Sequence, residues 1–130
     1  LFREEEALAK ILVVEDSDAV RAKMRHYLEE NGGHSVLEAS DGANALDTLK
    51  EHSDIDLIFC DVNMPVMDGI AFAQAIHNED HLKDIPLVFC TTETASAVKK
   101  EIKNLGIKAR YIMKPVTENS IVVTLKSVFG

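Results

Sequence analysis

Five short apolar runs recur along the 130 residues, each followed by a polar turn and then by apolar positions at helical spacing. The runs are KILVVE (10–15), HSVLEA (34–39), DLIFC (56–60), PLVFC (86–90) and ARYIM (109–113). After the first, Val20, Met24 and Leu28 repeat at i, i+4 and i+8 behind the cap candidates Ser17 and Asp18, and the pattern stops at Gly32 and Gly33. Later stretches set Ala45, Leu46 and Leu49, then Phe72, Ala73 and Ile76, then Val98, Ile102 and Leu105, then Ile121, Val122 and Leu125 on single faces. Runs one, three and four are almost continuously apolar, the pattern of strands whose two faces are both covered by helices. The expectation is a doubly wound α/β domain, five parallel strands alternating with five helices on both faces. Neither a linker nor a low-complexity tract interrupts it.

Composition agrees with one such domain, since 46% hydrophobic residues over this length bury an ordinary core without staples. No apolar run approaches the roughly 20 residues needed to cross a bilayer. The opening LFREEEALAK lacks the basic end and apolar centre of a signal peptide, so a cytoplasmic protein without membrane association is expected. A start at Leu1 rather than Met is read as trimming or excision, which leaves further domains open at either end. The net charge of −8, with 22 acids against 14 Lys and Arg and no basic stripe, argues against direct nucleic-acid binding and favours cations or basic partners. Cys60 and Cys90 form no CxxC and sit inside apolar runs, so they read as small core residues of a reducing compartment. His26, His34, His52, His77 and His81 avoid the strand ends and read as surface residues.

In a doubly wound sheet, ligands bind beyond the carboxyl ends of the strands. Strand one ends in Glu15 and Asp16, strand three in Asp61, strand four in Thr91 and Thr92, and strand five in Lys114 before Pro115. Three carboxylates in one cleft repel one another unless a cation joins them. Oxygen donors without nearby His or Cys suit a hard, partly hydrated ion such as Mg²⁺. With a lysine ammonium and a threonine hydroxyl beside it, that ion completes the parts needed to hold phosphoryl oxygens while Asp61 attacks phosphorus.

The motifs ILVVED, DVNMPVMDG, the threonine closing strand four and YIMKP resemble the receiver domain of two-component response regulators over residues 10–129. The resemblance implies the CheY-like, flavodoxin-type strand order 2-1-3-4-5, with residues 1–9 as a leader and 10–130 as the receiver domain. It implies that Asp61 accepts a phosphoryl group from a histidine kinase or phosphotransfer protein. Mg²⁺, with Mn²⁺ as a substitute, would be held by Asp16, Asp61 and the backbone carbonyl of Asn63, with Glu15 acting largely through water. Thr91 and Lys114 would bind phosphoryl oxygens, and the Lys114–Pro115 peptide would be cis. Asn63 and Glu93 match positions that tune attack by water, in a pairing similar to chemotaxis-type receivers. Thr91 and Tyr111 match the family's switch pair, which repacks the face made by strand four, the fourth helix (93–104) and strand five for an output partner. Such a protein catalyses only its own phosphorylation and dephosphorylation.

Pro65 and Gly69 are expected to shape the loop after Asp61, the first by setting one φ and the second by permitting an unusual one. Met64 and Met67 read as loop packing. Two departures from the family pattern stand out: Thr92 where many receivers carry alanine, expected to narrow access to the cleft, and Arg110 where an acid is common. Two settings fit the chain, a free-standing chemotaxis-type regulator and a receiver excised from a larger regulator or hybrid kinase. An aspartate-nucleophile phosphatase is the competing class, disfavoured because Asn63 stands where its second acid is required. A flavin module would need phosphate donors that the acidic EDSDAV loop lacks.

Overall fold

Residues 8–92 and 96–130 are described by the computed structural model. Ten elements alternate along the chain: β1 (Lys10–Val14), α1 (Asp18–Glu30), β2 (Ser35–Ala39), α2 (Gly42–Glu51), β3 (Leu57–Asp61), α3 (Gly69–His77), β4 (Leu87–Thr91), α4 (Ser96–Asn104), β5 (Arg110–Met113) and α5 (Glu118–Phe129). All strand pairs are parallel, in the order β2-β1-β3-β4-β5. The fold is therefore the five-stranded doubly wound sheet that the alternation predicts. Among the described residues no helix is long and apolar enough to cross a membrane.

Strand alternation divides the core in two. Leu12, Ile58 and Phe89 join Leu49, Phe72 and Ile102 of α2, α3 and α4 on one face. Ile11, Phe59 and Val88 join Met24 and Leu28 of α1 and Ile121 of α5 on the other. Removing each such large side chain from water stabilises the fold by about 1.5–3 kcal/mol before entropy is counted. The three inner strands are bordered on both sides and sandwiched by helices, which is why β3 and β4 are buried at every position.

Four helices begin at a side-chain cap that accepts a backbone N–H of the first turn: Ser17 for α1, Asp41 for α2, Asp68 for α3 and Thr117 for α5. These caps set each of the four helix starts a few residues beyond the carboxyl end of the preceding strand. The description of α4 begins at Ser96; the expected start at 93, and Glu93 itself, lie outside the described residues.

Two expectations about local structure change. Gly69 does not carry an unusual φ; the left-handed residue of the loop is Val66, at φ 67°. Gly69 is required by proximity, because a Cβ there would lie 2.2 Å from the Asp61 carbonyl oxygen. His34 is half-buried rather than a free surface residue: its Nδ1 accepts the Ala9 N–H at 3.1 Å and its ring stacks on Phe129 at 6.1 Å. Met64 and Met67 pack against the core as expected. Arg110 also acquires a role, donating to the Ser127 hydroxyl at 3.0 Å and to the Ser127 carbonyl at 3.2 Å, so that it ties β5 to the end of α5.

Candidate functional site

The carboxyl ends of β1, β3, β4 and β5 bring Glu15, Asp61, Thr91 and Lys114 to one edge of the sheet. Asp61 is the last residue of β3 and only 5% exposed; Thr91 is the last of β4 and 7% exposed. Gly69 N–H donates to the Val62 carbonyl at 2.8 Å, folding the loop of Asn63 back under the strand end. The Asn63 side chain is exposed in that loop. Lys114 N–H donates to the Thr91 carbonyl at 2.6 Å, and the Lys114–Pro115 peptide is cis, as expected.

The Lys114 ammonium sits between two buried carboxylates, 3.0 Å from Asp61 Oδ1 and 3.2 Å from Glu15 Oε1. Burial alone would lower the lysine, but its bonds to Asp61 and Glu15 outweigh that and hold it above its ordinary value. Glu15 is shifted upward, chiefly by burial; the Ser17 N–H at 2.8 Å opposes the rise, and the neighbouring Asp16 and Asp61 add to it. One ammonium thus faces an excess of negative charge.

Carboxylate oxygens of Glu15, Asp16 and Asp61 all lie within 4.8 Å of one another, with Asp16 exposed at the mouth. This donor set fits a hard divalent cation: it is all oxygen, it gathers buried acids that one lysine does not neutralise, and its exposed member leaves room for water ligands. The neighbouring thiols offer no competition. Burial raises Cys60 well above its ordinary value and pushes Cys90 up to about 12, so both stay protonated, and the Cys60 Sγ–H donates to the Asp61 carbonyl at 3.1 Å.

Tyr111 lies on β5 directly beside Phe89 of β4, the rings stacked at 6.0 Å, with the Lys99 ammonium of α4 5.1 Å from the tyrosine centroid. Phe89 and Thr91 share one face of β4 by alternation, so Tyr111 and Thr91 border the same layer between sheet and α4. Thr92 is exposed and lines a groove of about 380 Å³ with Val20, Lys23, Lys114, Pro115 and Val116.

Sequence reasoning missed Arg21, whose guanidinium donates to the Glu15 carbonyl at 2.6 Å. Its place on α1 carried no signal, because whether a polar helix residue turns back onto the Glu15 carbonyl is set by how the helix packs on the sheet.

Residues 11–126 match the model of the response regulator receiver domain. A chemotaxis protein CheY homolog of Campylobacter jejuni is 33% identical over 121 residues, covering 93% of this chain and 92% of the relative. The structure of the Vibrio cholerae chemotaxis protein CheY4 superposes with a TM-score of 0.84 at 36% identity, covering 93% and 98% of the two chains. The receiver domain of a Pseudomonas aeruginosa sensor histidine kinase, solved with magnesium in its active-site cleft, shares the fold at a TM-score of 0.81 and 22% identity, covering 94% and 98%. With its strand order, its acidic edge and this match over nearly its whole length, the chain belongs to the response regulator receiver domain family.

Proposed function

We propose that this protein is a phosphoacceptor of a two-component phosphorelay, taking a phosphoryl group on Asp61 from the histidine of a kinase or phosphotransfer protein, within a receiver domain spanning 10–130. The reading rests above all on one observation, the Lys114 ammonium held between Asp61 and Glu15 at 3.0 and 3.2 Å. In the transfer an Asp61 oxygen attacks phosphorus, the bond from phosphorus to the donor nitrogen breaks, and the electron pair leaves with the imidazole. Lys114 donates to the phosphoryl oxygens as they arrive, and the Thr91 hydroxyl donates to another. Asp16, Asp61 and the Asn63 carbonyl would hold Mg²⁺, with Glu15 acting largely through water. When bound, that ion supplies positive charge against the phosphoryl oxygens. Hydrolysis is attack by water on phosphorus, which restores the carboxylate and releases inorganic phosphate; Asn63 and Glu93 tune its rate.

The output is a two-state repacking of the β4–α4–β5 face. A phosphoryl group adds acceptor oxygens at the end of β4. Drawing Thr91 toward them alters the layer that Phe89 and Tyr111 share, and a partner that prefers the repacked face then binds. The chemotaxis-type subtype is supported by the relative at 33% and the structure at 36% identity. A receiver belonging to a larger regulator or hybrid kinase is the alternative, and the sequence of the full gene product separates them.

Intact-mass analysis after incubation with acetyl phosphate tests the reading. One phosphoryl mass is expected with Mg²⁺, little without it, and none in Asp61→Asn. A phosphoryl mass that persists in Asp61→Asn places the acceptor elsewhere and overturns the assignment.

A further inference from the structure

We infer that Arg21 is a positioning residue for the acidic site, holding the peptide between Glu15 and Asp16 so that the Asp16 carboxylate is aimed at the cation. This rests on the proposed role of Asp16 and Asp61 as cation ligands. The guanidinium of Arg21 joins three segments: Nη1 donates to the Glu15 carbonyl at 2.6 Å, Nε to Glu38 of β2 at 3.0 Å, and Nη2 to Asp18 in the first turn of α1. Its side chain is 14% exposed. Glu38 is in turn gripped by Arg25 at 2.7 Å.

The consequence runs through the backbone. Glu15 N–H is already fixed on the Ala39 carbonyl at 3.0 Å. Binding the Glu15 carbonyl as well fixes the plane of the peptide that leads into Asp16. The Glu15 side chain has its own anchors in Ser17 N–H and Lys114. Among the described residues the exposed Asp16 carboxylate pairs with no lysine or arginine, and its side-chain neighbour is the carboxyl of Glu15, the residue before it, so its direction depends on the backbone beneath the two. The forked geometry of arginine matters, because one planar group must meet a carbonyl and two carboxylates in different directions.

Charge and position predict opposite signs, which makes the role testable. By Coulomb's law alone, removing a cation near the site should tighten binding of Mg²⁺. Loss of positioning should weaken it, about 10-fold or more by the usual effect of an outer-shell partner. The experiment is calorimetric titration of Mg²⁺ into wild type, Arg21→Ala, Arg21→Lys and Arg25→Ala, each first shown folded by circular dichroism. Arg25→Ala breaks the same grip on Glu38 without touching the Glu15 carbonyl and serves as the structural comparison.

Expected are a roughly 10-fold weaker Mg²⁺ affinity in Arg21→Ala, partial recovery in Arg21→Lys, and a change within about twofold in Arg25→Ala. Unchanged or tighter binding in Arg21→Ala, or equal weakening in Arg25→Ala, overturns the role of Arg21. Absence of Mg²⁺ binding in wild type instead overturns the underlying ligand assignment. Should Arg21→Ala not fold, Arg21→Lys decides alone: wild-type affinity there overturns the proposal.

Discussion

Lys114 Nζ and Asp61 Oδ1 stand 3.0 Å apart although 53 residues separate them in the chain, and the same ammonium reaches Glu15 at 3.2 Å. Parallel strands bring these ends together, and the ion pair is the least interchangeable contact of the site. In Lys114→Met two buried carboxylates lose their only nearby ammonium among the described residues. Because the lysine is 28% exposed, a discounted cost of about 1–2 kcal/mol is expected in urea unfolding without Mg²⁺, less than for a fully buried pair. Phosphoryl uptake from acetyl phosphate, read by intact mass, should fall to near the level of Asp61→Asn.

The loop after Asp61 has one residue that is indispensable and one that is strained. Gly69→Ala drives a Cβ to within 2.2 Å of the Asp61 carbonyl oxygen, backbone of a fully buried strand, so about 3 kcal/mol of stability should be lost. Val66 holds a β-branched side chain at φ 67° while 84% exposed. Val66→Asn should therefore stabilise by about 0.5–1 kcal/mol, since Asn tolerates that region better and no packing is lost. Both values are measured by urea denaturation.

His34 gives the fold a dependence on pH. Burial lowers its pKa from the ordinary 6.5, outweighing an opposing backbone contact, and neutral Nδ1 is the acceptor for Ala9 N–H. The unfolded chain is then the better proton acceptor. The contribution is complete above pH 6.5 and is lost as pH falls from there through the folded value. His34→Gln should remove this slope, so that wild-type and variant melting curves converge or cross as the pH is lowered from 8 to 5.

Substitution of Tyr111 separates packing from the proposed switching. Its half-buried ring stacks on fully buried Phe89, so Tyr111→Ala should cost about 2 kcal/mol, while Tyr111→Phe should stay within about 0.5 kcal/mol. Beryllofluoride with Mg²⁺ mimics the phosphoryl group. In wild type it should shift amide resonances of α4 and β5. If those shifts survive intact in Tyr111→Ala, the ring has no part in the switch.

Much of this protein was legible residue by residue. The spacing of Val20, Met24 and Leu28 gave the buried face of α1, Ser17 gave its cap, and the unbroken run before Asp61 gave a strand covered on both faces. The site acids, Thr91 and Lys114 were legible because each follows directly from a strand end, and in a parallel sheet those ends share an edge. Strand order was legible only through the resemblance to the receiver family, since periodicity does not rank neighbours.

What the residues alone determined, then, is whatever depends on local period and on the next few neighbours: strands, helices, caps and the list of groups at one edge. Tertiary structure alone decided that Arg21 of α1 holds the Glu15 carbonyl, that Gly69 is required by the Asp61 oxygen rather than by its own φ, that Arg110 binds Ser127, and that His34 is an acceptor. Each of these is a distance between atoms whose separation is set by how sheet and helices pack. Hydrophobic burial fixes that packing through the whole core, so no short stretch of sequence contains it.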